Sequence, residues 1–535
     1  MKRKTFWVPF ISLVLASVLV ALLVPFGVQV KSNGDWLAIG YAKAAEQEEP
    51  VGELVEARTA TTKTAYLGSG EYSLTSYTGS VHYLDGVEWK DIETSIVPSE
   101  LPNWDWVVEK GAYQIRIRED TTVALIKEGN WIGFQYVGFA YYDSISKNHV
   151  VLQDTQPVVP VVEGNSIRWN GLFYGVNLVY TYTGDRFKEE LEVTQVARDW
   201  LTAHPPSLYG LDNQTSYLVG YMEVDTSLSF PIEDAEGVLL SFDDLELEGE
   251  AIFWRSPVTQ KIIQALPIGY AYQVDDILRE YQVPIRVRFY KAGTANYLLF
   301  GASVLALNQL DVGTIIIDPT LSFNPGASAA DSDTRRITDN EAWATIRAGA
   351  GTGANGGTTM YTYFSSGASA NTWRWLMRPI VCFNTNIGAG VTVTAADLSV
   401  YAVSKLMEVA RNDFALNVFS SNPADPTSIV AADFQTHGTT QFATDIAYAA
   451  VSVAANNTFN FNAAGLAAIN TTGVSEFSLR ESYYDAAGNV PLYGSAGRDS
   501  GVVWYTTEQG AGFQPELTVT YTISGADISN TPPNV

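Results

Sequence analysis

Histidine is the side chain best suited to proton transfer near neutral pH, and the sequence holds only four: His82, His149, His204 and His437. None has a second histidine four residues away or a cysteine beside it, so no metal-ligand motif forms. His82 is predicted to be structural, with one hydrogen bond. The single cysteine, Cys382, lies in an apolar run, which favours a buried thiol over a nucleophile.

Signatures of common catalytic sites are missing from the sequence. No Gly-x-Ser-x-Gly turn, phosphate-binding loop or dinucleotide fingerprint occurs. The sequence therefore predicts no catalytic residue, no metal-binding residue and no cofactor, and it favours a protein that is not an enzyme. With 58 acidic residues, a carboxylate pair of the glycosidase type stays open, although the sequence singles out no pair.

Two acidic clusters could hold calcium, because carboxylate oxygens are the ligands that this ion prefers. They cover residues 243–250 and 331–333, and neither has the spacing of a twelve-residue calcium loop. Structural calcium is therefore an open alternative that no motif supports.

Aromatic side chains make up 12% of the residues, and several stand in polar surroundings. Sugar rings stack on exposed aromatic rings while neighbouring polar groups bind the hydroxyls. On this basis the predicted carbohydrate-binding residues are Trp373, Trp375, Tyr483, Tyr484, Tyr493 and Trp504. Core packing is the alternative for each ring: alternation in a strand would place both tryptophans on one face and Arg374 on the other. Adjacent tyrosines predict that at least one of them faces outward.

The elements that position these residues are predicted to be β-strands. Apolar residues alternate with polar ones in segments such as 113–118 and 285–290, and turn residues separate the segments at short intervals. Helical patterns are short and confined to 194–203, 274–281 and 463–469. We therefore predict an all-β protein in which an N-terminal β-sandwich-rich region precedes a C-terminal jelly-roll-like β-sandwich.

Composition changes near residue 320, where an aromatic and charged half gives way to one rich in Ala, Thr, Ser, Asn and Gly. The predicted organisation is a signal peptide or membrane anchor at 1–44, a β-rich region at 51–320 formed as one unit or two subdomains, a β-sandwich at 325–523, and a linker-like tail at 524–535. In the β-sandwich, an early strand around Leu398 is expected to pair with the last strand around Leu517.

The N-terminus carries an export signal. Three basic residues, Lys2, Arg3 and Lys4, precede an apolar stretch from Thr5 to Val30. The small residues around Ala44 resemble a cleavage site, and an uncleaved anchor is the alternative. Either outcome predicts an extracellular or cell-surface protein whose contact with a membrane, if the segment is uncleaved, is limited to that segment. The formal net charge of −26 argues against nucleic acid as a partner.

The first half loosely resembles the leader region of bacterial secreted Rhs and wall-associated proteins. The resemblance rests on residues 58–72, on a hairpin pattern at 81–92, on the segment 174–189 with its Lys188-Glu189 ending, and on the Ile317-Asp318-Pro319-Thr320 that closes the region. Asn177 stands where the family has Asp. The tyrosine-aspartate repeats of Rhs toxin shells do not occur, which argues against toxin delivery.

The second half is similar to the DNRLRE domain, a family grouped with carbohydrate-binding modules. The similarity rests on residues 378–383, on 387–401 and on the closing strand at 513–521, whereas the Asp-Asn-Arg-Leu-Arg-Glu string itself is absent. It implies a β-sandwich fold, and the motifs indicate fold more than ligand.

These observations favour a secreted or surface-displayed, non-catalytic protein whose C-terminal β-sandwich binds polysaccharide or another cell-surface polymer. A structural or adhesive component of the cell envelope without a glycan ligand is the alternative. A glycan-cleaving enzyme with an unrecognised carboxylate pair is the third hypothesis.

Overall fold

The structure is a computed structural model that describes residues 30–32, 35–37, 51–127, 129–184, 186–226, 232–233, 239–241, 244–248, 252–255, 262–266, 269–274, 282–318, 321–322, 331–355, 357–407, 413–427, 429–509 and 512–523. The predicted export segment before Val30, its cleavage site, most of the predicted helix at 274–281 and the tail at 524–535 lie outside these residues.

The chain divides into two units, residues 1–52 and 53–535. In the first unit, the described residues form the antiparallel strands Val30–Ser32 and Asp35–Leu37. The second unit holds all the larger sheets. No helix within the described ranges is long and apolar enough to span a bilayer.

The prediction of an all-β protein of the β-sandwich class is confirmed. The first large sheet, sheet A, has ten strands. In their order across the sheet they are Asp244–Glu248, Arg286–Ala292, Ala295–Ser303, Ser216–Thr226, Asn130–Asp143, Val123–Lys127, Gln114–Ile117, Trp106–Val108 and Val97–Pro98, with His149–Asp154 also paired to Asn130–Asp143.

The second sheet, sheet B, has twelve strands. Its main path runs through Val161–Glu163, Ser166–Phe173, Val176–Tyr182, Arg186–Val193, Leu321–Ser322, Ile262–Leu266, Ile252–Arg255, Ile232–Glu233 and Leu239–Leu240, and the remaining strands are Tyr270–Gln273, Val283–Pro284 and Ile315–Asp318.

Sheets A and B enclose one hydrophobic core. Because successive side chains of a strand point to opposite faces, strand Ser216–Thr226 of sheet A supplies Leu218, Met222 and Val224 to this core. Strand Arg186–Val193 of sheet B supplies Phe187 and Leu191 in the same way. The two sheets therefore form a sandwich.

The third sheet, sheet C, has fourteen strands. In chain order they are Gly52–Glu53, Thr62–Gly68, Glu71–Tyr77, Asp331–Glu341, Gly353–Asn355, Thr359–Ser366, Trp373–Asn384, Val391–Met407, Ala415–Ser420, Ile446–Ala447, Ala455–Asn460, Val474–Glu481, Asp499–Tyr505 and Glu516–Ile523. A separate hairpin consists of His82–Asp85 and Glu88–Asp91.

Sheet C curves around a second core, because strands far apart in the sheet contribute to one cluster of buried residues. The long strand Val391–Met407 makes the turn: its first half pairs with Glu516–Ile523 and its last residues pair with Asp499–Tyr505. Leu398 lies opposite Leu517, so the expected pairing of an early strand with the last one is confirmed.

The helices of the described residues are short. The α-helices among them are Gln195–Ala203, Val304–Leu307, Trp343–Ala348 and Ala463–Ala467, and Ser482–Ala486 forms one π-helical turn. The 3-10 turns are Val55–Ala57, Pro206–Tyr209, Ala431–Gln435, Tyr448–Ala450 and Thr507–Gln509. Two of the predicted helical segments, those beginning near residues 194 and 463, are therefore helical.

Sheet C begins with strands from the N-terminal part of the chain. Strand Glu71–Tyr77 pairs with Glu516–Ile523, placing Leu74 opposite Val519, and Leu74 belongs to the core of sheet C. The predicted limits of the two β-rich regions, 51–320 and 325–523, thus do not separate the strands of sheet C. Strand Glu71–Tyr77 covers the edge of the last strand that Val391–Met407 leaves unpaired, which removes an open pairing site.

The buried carboxylate of Asp331 also links the early strands of sheet C to its later part. Asp331 Oδ2 accepts hydrogen bonds from Thr78 Oγ1 at 3.0 Å and from the backbone N–H of Thr507 at 2.6 Å. Burial raises the pKa of Asp331 to about 6, with the hydrogen bonds from Thr507 and Thr78 opposing the shift. Residues from three distant parts of the chain are therefore held at one point.

We expect Leu74→Ala to destabilise the protein by about 2 to 5 kcal/mol, because it opens a cavity in the core of sheet C. Leu67→Ala, on the neighbouring strand, is the matched control: its side chain is exposed, so the change should cost less than about 0.5 kcal/mol. Denaturant unfolding of both variants measures the difference. Equal effects would contradict the assignment of strand Glu71–Tyr77 to this core.

The core between sheets A and B contains one carboxyl group, that of Glu189, to which the Tyr136 hydroxyl donates a hydrogen bond. Burial raises the pKa of Glu189 to about 8; the hydrogen bond from Tyr136 opposes this shift and the nearby Asp318 adds to it. The folded protein therefore keeps this proton over a pH range in which the unfolded chain releases it.

Between the ordinary glutamate pKa of 4.5 and the raised value of about 8, stability should fall as pH rises, because only the unfolded state has lost the proton. Glu189→Gln removes this dependence and keeps an acceptor for Tyr136. We expect the variant to match the parent near pH 4.5 and to exceed its unfolding free energy by about 3 kcal/mol at pH 7. Urea unfolding across pH tests this, and Glu163→Gln at an exposed site is the control.

Candidate functional site

The outer face of sheet A, opposite the core, carries a cluster of aromatic side chains. Strand alternation directs Tyr221, Tyr290 and Tyr297 to this face. Their chain neighbours Met222, Phe289 and Leu298 point the other way, into the core. Cross-strand pairing places Tyr290 directly opposite Tyr297. We call the three tyrosines, together with His149, the tyrosine face.

The four rings of the tyrosine face form a closed cycle. His149 and Tyr221 have ring centroids 5.1 Å apart, Tyr221 and Tyr297 5.2 Å, Tyr290 and Tyr297 5.4 Å, and His149 and Tyr290 5.9 Å. The Tyr290 hydroxyl also donates a hydrogen bond to the Tyr221 hydroxyl at 3.2 Å, which links two rings of the cycle that the ring contacts do not join directly. All four residues are half-buried, and Tyr221 and Tyr290 pack against a buried cluster on the same face.

Strand Asn130–Asp143 makes room for the cluster. Gly138 lies opposite Tyr221, and a Cβ atom there would come within 2.9 Å of Val151 Cγ1 and 3.7 Å of Tyr221 Cδ1. The glycine therefore makes room for the Val151 side chain, while a Cβ atom would make only an ordinary contact with the Tyr221 ring. Val151 is exposed beside it and extends the apolar surface.

A lattice of ion pairs borders the tyrosine face. The guanidinium of Arg288 lies 5.0 Å from the centre of the Tyr290 ring, and its Nη2 donates to Asp244 Oδ1 at 3.1 Å. Arg286 lies 4.5 Å over the ring of Tyr217 and donates to Glu246 Oε1 at 2.6 Å. These contacts stack each guanidinium on an aromatic ring while a carboxylate neutralises it, which fixes the rings in place.

At neutral pH the tyrosine face is uncharged. Burial, assisted by the positive charge of Arg288, lowers the pKa of His149, and burial raises the pKa of Tyr221 and Tyr290. The imidazole is therefore neutral and the phenols keep their protons. Glu223 is exposed on the same face, paired across the strands with Tyr297, and it supplies a hydrogen-bond acceptor at the margin.

This arrangement is suited to binding. Partly exposed rings offer surfaces for the apolar C–H faces of a sugar, and phenol hydroxyls, an imidazole and a carboxylate beside them offer hydrogen-bond partners. The carboxylates of the lattice are occupied by arginines, as the contacts of Asp244 and Glu246 show.

Three of the six rings predicted to bind carbohydrate lie in the core of sheet C. Trp373 is 2% exposed, Trp504 is 0% exposed, and Tyr484 is buried in the same cluster. Trp504 Nε1 donates to Thr362 Oγ1 at 3.1 Å, which satisfies its polar group inside the core. The prediction is wrong for these three residues, because no ligand can reach their rings.

A β-bulge explains why Trp373 and Trp375 differ. Trp375 pairs with Ser365 and Trp373 with the adjacent Ser366, so Arg374 is an extra residue in its strand. The bulge reverses the alternation: Trp373 enters the core, and Trp375 packs on the outer face of the sheet beside Tyr363. The expectation that both tryptophans share a face is therefore wrong.

The remaining three predicted rings are accessible, and the contacts found for each are different. Trp375 is half-buried, with the guanidinium of Arg374 4.1 Å over its ring. Tyr493 is half-buried and donates to the carbonyl of Gly367 at 2.9 Å. Tyr483 is 42% exposed next to the buried Tyr484, which confirms that one of the two adjacent tyrosines faces outward.

The sequence carries one signal for the tyrosine face, on the polar side of an alternating segment. The alternation in residues 285–290 predicts a strand whose apolar face is formed by Ile285, Val287 and Phe289. The opposite face of that strand carries Arg286, Arg288 and Tyr290. What the sequence does not show is which strands lie next to it, so the partners Tyr221 and His149 could not be assigned.

The other predicted chemical groups have structural roles. His82 is buried and its Nδ1 lies 2.6 Å from the carbonyl oxygen of Thr59, in line with one hydrogen bond. Cys382 is buried, which raises the pKa of its thiol well above the usual value. In the acidic cluster at 331–333, Asp333 is paired with Arg335.

The described residues of the cluster at 243–250 are likewise engaged by arginines, through the pairs Arg286 with Glu248 and Arg288 with Asp244. Among the described residues, no group of three or more His, Cys, Asp or Glu side chains is placed to hold a metal ion.

Comparison with known proteins gives no match that bears on this chain. No family model and no curated protein matches the chain. One similar solved structure is of carbohydrate-binding modules from the beta-sandwich super family, at 8% identity and a TM-score of 0.13, covering 57% of this chain and 95% of that chain. Another is Trypanosoma rangeli sialidase in complex with sialic acid, at 8% identity and a TM-score of 0.12, covering 92% of this chain and 93% of that chain. At these scores neither alignment carries an argument about this protein.

The burial of the tryptophans leads to a direct test. We expect Trp373→Ala and Trp504→Ala each to destabilise the protein by about 3 to 5 kcal/mol, because each empties a large part of the core of sheet C. Trp375→Ala, two residues away on the outer face, should cost clearly less. Thermal and denaturant unfolding give the order, and a Trp375→Ala variant as unstable as Trp373→Ala would contradict the bulge.

Proposed function

We propose that this chain is a secreted or surface-displayed, non-catalytic protein that binds polysaccharide through the tyrosine face of sheet A. The observation that supports the proposal is the cycle of four partly exposed rings on the solvent side of a β-sheet. Clustered aromatic rings left on a surface are costly unless they contact a ligand. The binding surface is thereby moved from the C-terminal sandwich, where half of the predicted rings are buried.

The surroundings of the tyrosine face favour a polysaccharide without strong negative charge. The whole chain carries a formal net charge of −26, which repels anionic polymers at long range. The nearest cations do not compensate for this, because Arg286 and Arg288 are paired with carboxylates of strand Asp244–Glu248. A neutral sugar chain loses little on approach and gains both stacking and hydrogen bonds.

The rigidity of the tyrosine face also favours binding. The rings are held by one another, by a hydroxyl-to-hydroxyl hydrogen bond and by the stacked guanidinium of Arg288. A surface that is already ordered loses little side-chain entropy when a ligand docks, which raises affinity for the same contact area.

Retention of the whole chain on a panel of neutral polysaccharides, in affinity electrophoresis and pull-down, tests the proposal. We expect Tyr221→Ala and Tyr297→Ala each to weaken binding about tenfold through the loss of one stacking ring. Tyr174→Ala is the matched control, since Tyr174 is an exposed tyrosine of the same half of the chain outside the tyrosine face.

Other outcomes decide between the alternatives. Retention that survives both tyrosine changes but is lost with Trp375→Ala or Tyr483→Ala would place binding on the C-terminal sandwich. Absence of retention on every polymer would favour a structural or adhesive role. Release of reducing ends from a polysaccharide, abolished by changing one carboxylate, would contradict the non-catalytic assignment.

A further inference from the structure

Two sequence motifs that the proposed function does not use meet in sheet B. Lys188 lies in strand Arg186–Val193, and Asp318 ends strand Ile315–Asp318. These strands are antiparallel neighbours, with Leu191 opposite Ile317. One step further along this register, Glu190 stands opposite Asp318, and Lys188 is two residues away on the same face.

The carboxylates of Glu190 and Asp318 both lie close to the amine of Lys188. The Nζ atom of Lys188 lies 2.5 Å from Glu190 Oε1 and 3.5 Å from Asp318 Oδ2. Their side chains keep little contact with water: Lys188 is 17% exposed, Glu190 19% and Asp318 10%. Tyr272, buried on the neighbouring strand, donates from its hydroxyl to Glu190 Oε1 at 3.4 Å, which holds this carboxylate beside the amine.

We propose that Lys188 and Asp318 form an intramolecular amide bond, with Glu190 as the proton carrier. The ammonium of Lys188 passes one proton to Asp318, and the resulting free amine attacks Cγ of the protonated Asp318 carboxyl. The attacking nitrogen then gives its second proton to Glu190. The N–C bond forms, a C–O bond breaks, and Glu190 returns its proton to the leaving hydroxyl, which departs as water. Ammonium and carboxylate together contain the atoms of one amide and one water, so no oxidant or co-reactant is required.

Proximity is the main source of rate in such a reaction. Amine and carboxyl are held side by side on adjacent strands, which turns a bimolecular condensation into an intramolecular one. Proton transfer from Lys188 to Asp318 converts an ion pair into two neutral groups, and it is the unfavourable step, because the neighbouring carboxylates stabilise the ammonium. The adjacent carboxylate of Glu190 supplies general acid–base assistance.

The charges of the site set its pH dependence. Burial by itself would lower the pKa of Lys188, but the carboxylates of Asp318 and Glu190 outweigh it and raise the pKa above the usual lysine value. The resting group is therefore the ammonium, and the attacking amine is scarce. Bond formation should be slow, and its rate should depend little on pH near neutrality, because a rise in pH increases the free amine but removes the protonated carboxyl that the amine attacks.

An amide at this position would close a long loop of the chain, from residue 188 to residue 318. The sequence has a single cysteine, so an intrachain disulfide is not available for this purpose. The loop contains the strands Ile232–Glu233, Leu239–Leu240, Ile252–Arg255 and Ile262–Leu266 of sheet B. Closing it covalently reduces the entropy of the unfolded chain, the effect by which a disulfide stabilises a protein.

Mass spectrometry of the full chain tests the proposal. After prolonged incubation at neutral pH, the denatured protein should weigh one water molecule less than its sequence, and peptide mapping should give a branched peptide joining Lys188 to Asp318. Lys188→Arg and Asp318→Ala should abolish the loss of water. Glu190→Gln should slow it at least tenfold, and an Asp318→Asn variant that reacts should lose ammonia instead.

The control is an ordinary surface pair in the same chain. Lys63 Nζ lies 2.7 Å from Asp91 Oδ1, closer than Lys188 is to Asp318, but both of its side chains are well exposed. No branched peptide should form there. A parent protein that keeps its full mass after prolonged incubation across pH 6 to 9, or a water loss that persists in Lys188→Arg, would overturn the proposal.

Discussion

The antiparallel pairing of Glu71–Tyr77 with Glu516–Ile523 is the constraint on which the rest of the compact unit depends. It joins a segment from the beginning of the unit to its last strand, so the chain between them must start and finish at the same sheet. Asp331 reinforces this closure by binding Thr78 and Thr507. Because the backbone groups at the edge of a sheet need a neighbouring strand as hydrogen-bond partner, each of these two strands satisfies backbone groups of the other.

Within this frame, the two faces of a strand serve different purposes. In sheet A one face fills the core with aliphatic and aromatic side chains, and the other carries the tyrosine face with its border of arginines and carboxylates. The core explains why the sheet is rigid, and the outer face uses that rigidity to hold rings in fixed positions. In sheet B, the outer face instead brings together Lys188, Glu190 and Asp318.

Burial decided which aromatic residues are available to a ligand. The tryptophans of the C-terminal half are mostly large core residues, since a curved sheet around a single core needs bulky side chains to fill its interior. Trp375 is outside only because one extra residue, Arg374, reverses the alternation. The most extensive contacts between partly exposed rings that we describe are made by tyrosines of the N-terminal half, whose hydroxyls find partners at the surface.

The sequence by itself determined the all-β class, the strand at Leu398 that pairs with the one at Leu517, two of the short helices, the burial of Cys382 and the hydrogen bond of His82. These features depend on local alternation, turn residues and hydrophobicity, which are readable along the chain. Only the tertiary structure decided that Glu71–Tyr77 completes sheet C, that Trp373 is buried, and that His149 meets Tyr221 and Tyr290. Pairings between distant strands and a one-residue bulge leave no periodic trace in the sequence, because they are fixed by neighbours that the chain reaches only after folding.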